Sequence, residues 1–313
     1  MTDQRERRLS QYLAPKYWPV WLLFGALRAA SALPFRTQMW LGAVLGRLSM
    51  RLLPKRQRVA HRNLRLCFAT MDDNERRTLV RAHFENLGIS IFEMAMAYYR
   101  PARLLDRITV HGAEHLDQQP DKQIILLTAH FGALEVGGTA LKARGLVFDA
   151  VYRKDRNPLV SELIRRGREN AGRQTIEKSN IKEMVRSLRS GVPVWYAPDQ
   201  SYRRKQSALL DFFGEPAMTN TATSALARLG KSAVIGFFPH RRADRSGYDI
   251  VVHPPLARFP SDDPLADTLR ITEIFEAEIR RSPAQYFWVH RKFKGRPDTL
   301  DDAYADLASE ALE

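Results

Sequence analysis

The chain has 313 residues, enough for one large domain or two small ones. Its 44% hydrophobic and 27% charged residues exclude a disordered or low-complexity polypeptide. Forty-nine Lys and Arg against 35 Asp and Glu leave a net charge of +14, which favours a polyanionic partner: nucleic acid, an anionic membrane, or an acidic protein or phosphorylated substrate. The single cysteine, Cys67, excludes an internal disulfide framework and a cysteine-rich zinc site.

The first strongly patterned stretch is "YWPVWLLFGALRAASALPF", Tyr17 to Phe35. Tyr17, Trp18 and Trp21 open it, one charge (Arg28) lies inside it, and it is barely long enough for a bilayer core of about 30 Å. The next, Met39 to Pro54, carries Arg47 and Arg51 at helical spacing and reads as an amphipathic surface helix. Cations flank both stretches, among them Arg5, Arg7, Arg8, Lys16, Arg36, Lys55, Arg56 and Arg58, so charge sets no orientation. The pair reads as a membrane anchor, with a buried helix pair as the alternative; spanning the bilayer and lying on it stay open.

Cys67 follows in "LRLCFA", an apolar setting that suits a buried, inert thiol. From Asp72 to Tyr99 the spacing predicts a helix with capping acids and with Leu79, Ala82, His83, Leu87 and Ile91 near one face. His83 falls inside that pattern and reads as packing. Beyond Pro101 the period changes. Strands are predicted in "RITVHGAEHL", "KQIILLTAH", "GLVFDAVYR", "VPVWYAPD", "KSAVIGFFPHR", "YDIVVHPP" and "AQYFWVHRKF". Between them lie helices in "NPLVSELIRRGRENAG", with Asn157 as cap and Pro158 in its first turn, in "NIKEMVRSLRSG", in "TNTATSALARLG" and from about Asp263 to Arg281. Strands alternating with helices define an α/β sheet with helices packed on it.

Chemistry concentrates in "LLTAHFGALEVGG". His130 falls just past the carboxyl end of a buried strand, where open α/β sheets place ligands, and an imidazole there suits proton transfer near neutral pH. Glu135, five residues on, could turn back to hold the other ring nitrogen. Spacing alone equally allows a satisfied strand-end histidine and a solvated helix glutamate. "RRGREN" sets Arg165, Arg166 and Arg168 on a helix, and "WYAPDQSYRRK" ends a strand with Asp199, which could face the same crevice, ahead of Arg203, Arg204 and Lys205. No serine lies in G-x-S-x-G. "ALARLGKS" lacks the first glycine of a phosphate loop, and the His111–His115 pair lacks an evident third ligand, so no catalytic metal is indicated.

"HFGALE" fits the H-x4-[D/E] motif of glycerolipid and lipid A acyltransferases. "HRNLRLCF", "RRGREN", "VWYAPDQSYRRK", "FFGEPAMTNTA" and "PAQYFWVHRKFKGRP" resemble, in the same order, the late acyltransferases of lipid A biosynthesis across nearly the whole chain. The resemblance implies a glycerolipid-acyltransferase-like mixed sheet flanked by helices. It divides the chain into a membrane anchor over residues 1–58 and a catalytic domain over 59–313. It further implies transfer of an acyl chain, lauroyl by the ending "HRKFKGRP", from acyl carrier protein to a 3-hydroxyacyl group of the Kdo-bearing lipid A precursor, at the cytoplasmic face of a bacterial inner membrane. His130 would be the general base, Glu135 its partner and Arg168 a donor to the developing oxyanion, while Asp199 would orient a substrate or a cationic neighbour; backbone amides at the start of a helix opening at Phe131 are a second candidate for the oxyanion. The thioester carries the activation, so no cofactor is expected. The alternatives are a phospholipid or other glycolipid acyltransferase and, more remotely, a nucleic-acid-binding protein. Against the last, Trp195, Phe237, Phe238 and Trp288 read as core rather than as an exposed stacking surface.

Overall fold

A computed structural model describes residues 9–309 apart from 120 and 204. The chain opens with helices α1 (Trp18–Ala30), α2 (Phe35–Leu52), α3 (Pro54–Cys67) and α4 (Asp73–Tyr99). A short α5 (Ala102–Leu105), β1 (Ile108–His111) and a short α6 (Glu114–Asp117) lead to β2 (Ile124–Leu127) and α7 (Leu134–Ala143). Then come β3 (Asp149–Tyr152), α8 (Pro158–Glu169), β4 (Gln174–Glu177), α9 (Ile181–Arg189) and β5 (Val194–Tyr196). A two-stranded antiparallel hairpin, β6 (Ser207–Phe212) with β7 (Glu215–Asn220), precedes α10 (Ala222–Gly230), β8 (Ala233–Arg241), β9 (Tyr248–Val252), α11 (Pro264–Arg281) and a short α12 (Asp306–Ser309).

Seven strands form one sheet in the order β1-β9-β8-β2-β5-β3-β4, parallel throughout except for the β8–β9 pair. Strand β2 is buried on both faces, as a four-residue aliphatic run at the middle of a covered sheet must be. Its side chains alternate between two cores. Ile125 and Leu127 join Leu64, Met184, Leu188 and Ile279 on one side, while Ile124 and Leu126 join Ala140, Leu141 and Phe148 on the other. Phe238 and Phe237 divide in the same way, and with Trp195 and Trp288 they lie in the core, as their sequence setting predicts. The mixed α/β sheet flanked by helices is therefore as expected. Cys67 is buried, and burial pushes its thiol far up, which leaves it inert.

Three expectations change. The segment "AQYFWVHRKF" is not a strand. It makes a single β-bridge, Phe131 to Tyr286, and otherwise turns, because its aromatic side chains are anchors: Tyr286, Trp288 and Phe293 are all buried. The strand predicted over "RITVHGAEHL" stops at His111, where Gly112 at φ +74° turns the chain into α6. Helix α4 begins with the capping box Asp72/Glu75, but its buried residues are not confined to the one predicted face. It runs through the middle of the helical layer and buries Val80, His83, Phe84, Ile89, Phe92 and Met96, while Ile91 stays exposed. His83 packs as expected, its Nδ1 3.2 Å from the Ala284 carbonyl, and burial lowers its pKa to about 4. Strand β4 and the β6–β7 hairpin carry too little apolar patterning to stand out in the sequence.

Helix α2 lies directly on α4 through small residues. A Cβ on Gly88 would sit 2.0 Å from the Gly42 carbonyl oxygen, and one on Gly46 would sit 2.0 Å from the Phe84 oxygen. The inner face, with Gln38, Met39 and Ala43, is buried, so α2 is an integral layer of the protein. The outer faces of α1 and α2 are exposed and apolar, with Trp18, Leu22, Leu23, Trp40, Leu48 and Leu52 all at least half exposed. No helix among the described residues is long and apolar enough to cross a membrane. The 13 residues of α1 reach only about 20 Å.

Gly88→Ala is expected to force the two helices apart and cost about 1–3 kcal/mol or more, read as a lower denaturation midpoint. Gly25→Ala, where a Cβ meets nothing within 4 Å, serves as the control and should be neutral or slightly stabilising. Equal midpoints for the two variants would show that the α2–α4 contact does not hold the fold.

Candidate active site

The site follows from strand register. β2 and β5 are parallel neighbours with Leu127 opposite Tyr196, and the Thr128 amide still donates to the Tyr196 carbonyl at 3.0 Å. Three residues further along each chain stand His130 and Asp199. His130 Nδ1 meets Asp199 Oδ1 at 2.6 Å, and the His130 amide donates to Oδ2 at 3.2 Å. The carboxylate thus grips both ring and backbone, fixes the tautomer with Nδ1 protonated, and leaves Nε2 as the basic atom. The His130 side chain is 35% exposed and that of Asp199 only 1%. Burial would push the Asp199 carboxyl up, but the His130 ring and amide and the Lys292 ammonium outweigh it and bring it down to about 2.

Asp199, rather than Glu135, therefore holds His130. Glu135 stands in the first turn of α7 and turns towards α8, where its Oε1 accepts from Arg168 Nε and Nη2 at 2.9 and 2.7 Å. The Tyr98 ring of α4 lies against both charges, and Gly167 leaves room for it, since a Cβ there would meet the ring at 2.3 Å. The expected histidine–glutamate contact fails for a helical reason: α7 does not start at Phe131 but at Leu134, so Glu135 points away along a new axis. Three of the amides there are occupied too. Phe131 N donates to Ala129 O, Gly132 N to Gln285 O, and Leu134 N to Phe131 O. Of the arginine cluster, Arg165 pairs with Glu162 and Glu169, and Arg166 with Glu162. Arg203 and Lys205 follow Asp199 on a loop, and Arg204 lies outside the described residues.

The segment 285–292 frames this loop, which sequence reasoning missed by taking it as a strand. Phe287 N donates to the His130 carbonyl at 3.0 Å, and Gln285 binds both backbone groups of Arg241. Asn63 of α3 clamps the segment from behind, donating to the Trp288 and His290 carbonyls at 2.6 and 2.8 Å and accepting from the Tyr304 hydroxyl. These residues sit in "HRNLRLCF" and "PAQYFWVHRKFKGRP", stretches conspicuous for their polar residues among apolar ones. Beside the loop, His240 lies with its ring 5.0 Å from that of Phe131. Glu278 joins His240 and His253 at 2.6 and 2.8 Å, and these two bring its carboxyl down to about 2 against the opposing effect of burial. His111, singled out with His115, pairs with Asp249 at 3.1 Å.

A histidine held by a buried carboxylate at the carboxyl edge of a helix-covered sheet, with a second acid–arginine pair beside it, is an arrangement suited to proton transfer. Comparison with known proteins specifies the class. Residues 5–295 match the family described as bacterial lipid A biosynthesis acyltransferase, and the chain belongs to that family and is an acyltransferase. It is 37% identical over 298 residues to the lipid A biosynthesis lauroyltransferase of Escherichia coli (strain K12), covering 93% of this chain and 96% of that one. It is 34% identical over 293 residues to the lipid A biosynthesis palmitoleoyltransferase of the same organism, covering 92% and 94%. Among solved structures, the 1-acyl-sn-glycerophosphate acyltransferase PlsC from Thermotoga maritima is loosely similar, with a TM-score of 0.39 at 12% identity over 78% of this chain and 98% of that one.

Asp199 and Glu278, held near pH 2 in the fold and near the ordinary value of about 4 when unfolded, contribute stability that is whole above that value and is lost as pH falls towards 2. Denaturant midpoints should therefore drop across that window. Glu278→Gln should flatten part of the drop, and an unchanged slope would take Glu278 out of the account.

Proposed function

We propose that this acyltransferase moves a fatty acyl chain, lauroyl by its C-terminal motif, from an acyl carrier protein thioester to a 3-hydroxyacyl group of the Kdo-bearing lipid A precursor. The observation that carries the reading is the 2.6 Å contact between His130 and the buried Asp199. A secondary hydroxyl is a poor nucleophile and needs a base in the transition state. His130 Nε2 takes the hydroxyl proton as the oxygen attacks the thioester carbonyl, and Asp199 stabilises the imidazolium. The tetrahedral intermediate collapses with cleavage of the carbon–sulfur bond, and the carrier thiolate leaves with the proton returned by His130. Arg168, aligned by Glu135, supplies positive charge to an oxyanion or a substrate phosphate. The thioester supplies the activation, so the step asks for no cofactor.

The +14 charge suits an acidic carrier protein, lipid phosphates and sugar carboxylates, and carrier docking should weaken as salt rises. The exposed apolar face of α1 and α2, bordered by Arg36 and Arg51, supports attachment to the cytoplasmic leaflet of a bacterial inner membrane, where the acceptor lipid would lie. Leu22→Asp combined with Leu48→Asp is expected to cut binding to anionic vesicles by about tenfold or more in a flotation assay. Undiminished flotation would place the membrane contact elsewhere.

The deciding assay follows labelled acyl transfer from carrier protein to the Kdo-bearing precursor. His130→Ala and Asp199→Asn should each lower kcat by about 10² or more, and Glu135→Gln or Arg168→Lys should lower it with folding intact. Near-normal transfer by His130→Ala would sink the base assignment. Acylated glycerol phosphate in place of a lipid A product would move the substrate to the phospholipid class.

A further inference from the structure

Lys292 lies behind the proposed base, away from solvent. It is 4% exposed; its Nζ donates to the Asp199 backbone carbonyl at 2.7 Å and stands 4.4 Å from the centre of the Phe212 ring. Burying an ammonium costs several kcal/mol unless nearby charge offsets it. A neutral glutamine could donate to the same carbonyl at far smaller cost. A mere staple between the C-terminal segment and the end of β5 therefore explains the hydrogen bond but not the charge.

The surroundings explain the charge. Around Lys292 stand the Asp199 carboxylate on the β5 loop, Glu276 on α11 and the Cys67 thiol at the end of α3. Around Asp199 stand His130, Lys292 and the Tyr286 hydroxyl, and His290 and Lys294 complete the group on the C-terminal side. Tyr286 and Cys67 are neutral near pH 7, as burial pushes both upward, and burial, with Lys294 adding to it, keeps His290 neutral by lowering it to about 4. Of these groups Asp199 and Lys292 carry the charges beside the base; burial lowers the Lys292 pKa to about 8 against the pull of Asp199, which leaves the ammonium as the main form near pH 7. A buried carboxylate with no counter-charge raises the affinity of its imidazole partner for a proton, and an imidazolium cannot act as a base.

We infer that Lys292 is a positioning residue whose buried ammonium offsets the charge of Asp199, so that the carboxylate aligns the His130 ring without over-stabilising its imidazolium form. This rests on the reading of His130 as general base. Removing the positive charge should let the carboxylate hold the proton more tightly, so the acid limb of the kcat/KM profile moves to higher pH.

The test is the pH profile of acyl transfer from carrier thioester for the full chain and for Lys292→Met, Lys292→Gln and Lys292→Arg, with His130→Ala alongside. Lys292→Met is expected to move the acid limb up by about one pH unit, Lys292→Gln to move it likewise although it keeps a donor, and Lys292→Arg to leave it within a few tenths. If Lys292→Met does not fold, Lys292→Gln carries the comparison. A loss of rate equal at every pH, with the limb unmoved, would reduce Lys292 to a staple and overturn the inference. Activity retained by His130→Ala would instead overturn the base assignment itself, so the two failures are distinguishable.

Discussion

The parallel pairing of β2 with β5 is the constraint on which the rest of the site depends. Neighbouring parallel strands end at the same edge of a sheet, and the register that sets Leu127 opposite Tyr196 brings His130 and Asp199 out side by side. A shift by one residue would turn either side chain to the other face and separate imidazole from carboxylate. That register is held by burial on both faces of β2, whose four aliphatic side chains divide between two cores. The geometry of the candidate site is thus a by-product of sheet packing, with the loops merely continuing a direction the strands have set.

The site is also surrounded by an unusual amount of buried charge. Besides Asp199 and Lys292, Arg241 of β8 makes a two-point ion pair with Glu93 of α4 at 2.5 and 2.6 Å, both almost fully buried, and Glu278 joins two histidines. Such groups are costly to desolvate, and they are tolerated where each partner fixes another's orientation. Here they converge on one strip of chain. Gln285 ties it to Arg241, Phe287 holds the His130 carbonyl, Asn63 grips Trp288 and His290, and Lys292 reaches Asp199. The C-terminal segment gives up strand geometry to make these bonds.

The helical layer separates two tasks that a single apolar sequence suggests. Helix α2 meets α4 through Gly42, Gly46 and Gly88, so close that the backbones touch, and this leaves its outer apolar residues free. Close packing and an exposed apolar surface therefore belong to opposite faces of one helix, and a rigidly packed helix holds its exposed face at a constant distance from the carboxyl edge of the sheet.

Local chemistry in the sequence determined most of the elements. Asn157 and Pro158 start α8, Asp72 and Glu75 start α4, and the run Ile124 to Leu127 is a buried strand. Each of these is set by residues within one turn or one pleat of each other. His130 was legible as a candidate reactive group because it follows that strand directly, and Asp199 stood out as a carboxylate at a second strand end. What the sequence could not determine is which carboxylate holds the imidazole. Five residues separate His130 from Glu135 and 69 separate it from Asp199, yet the distant one is bonded and the near one turns to Arg168. Only the tertiary structure decides this, because pairing across a sheet depends on strand order and register, which spacing along the chain does not encode. The same holds for Lys292: its burial and its contact with Asp199, 93 positions earlier in the chain, come from the chain folding back and not from its neighbours in sequence.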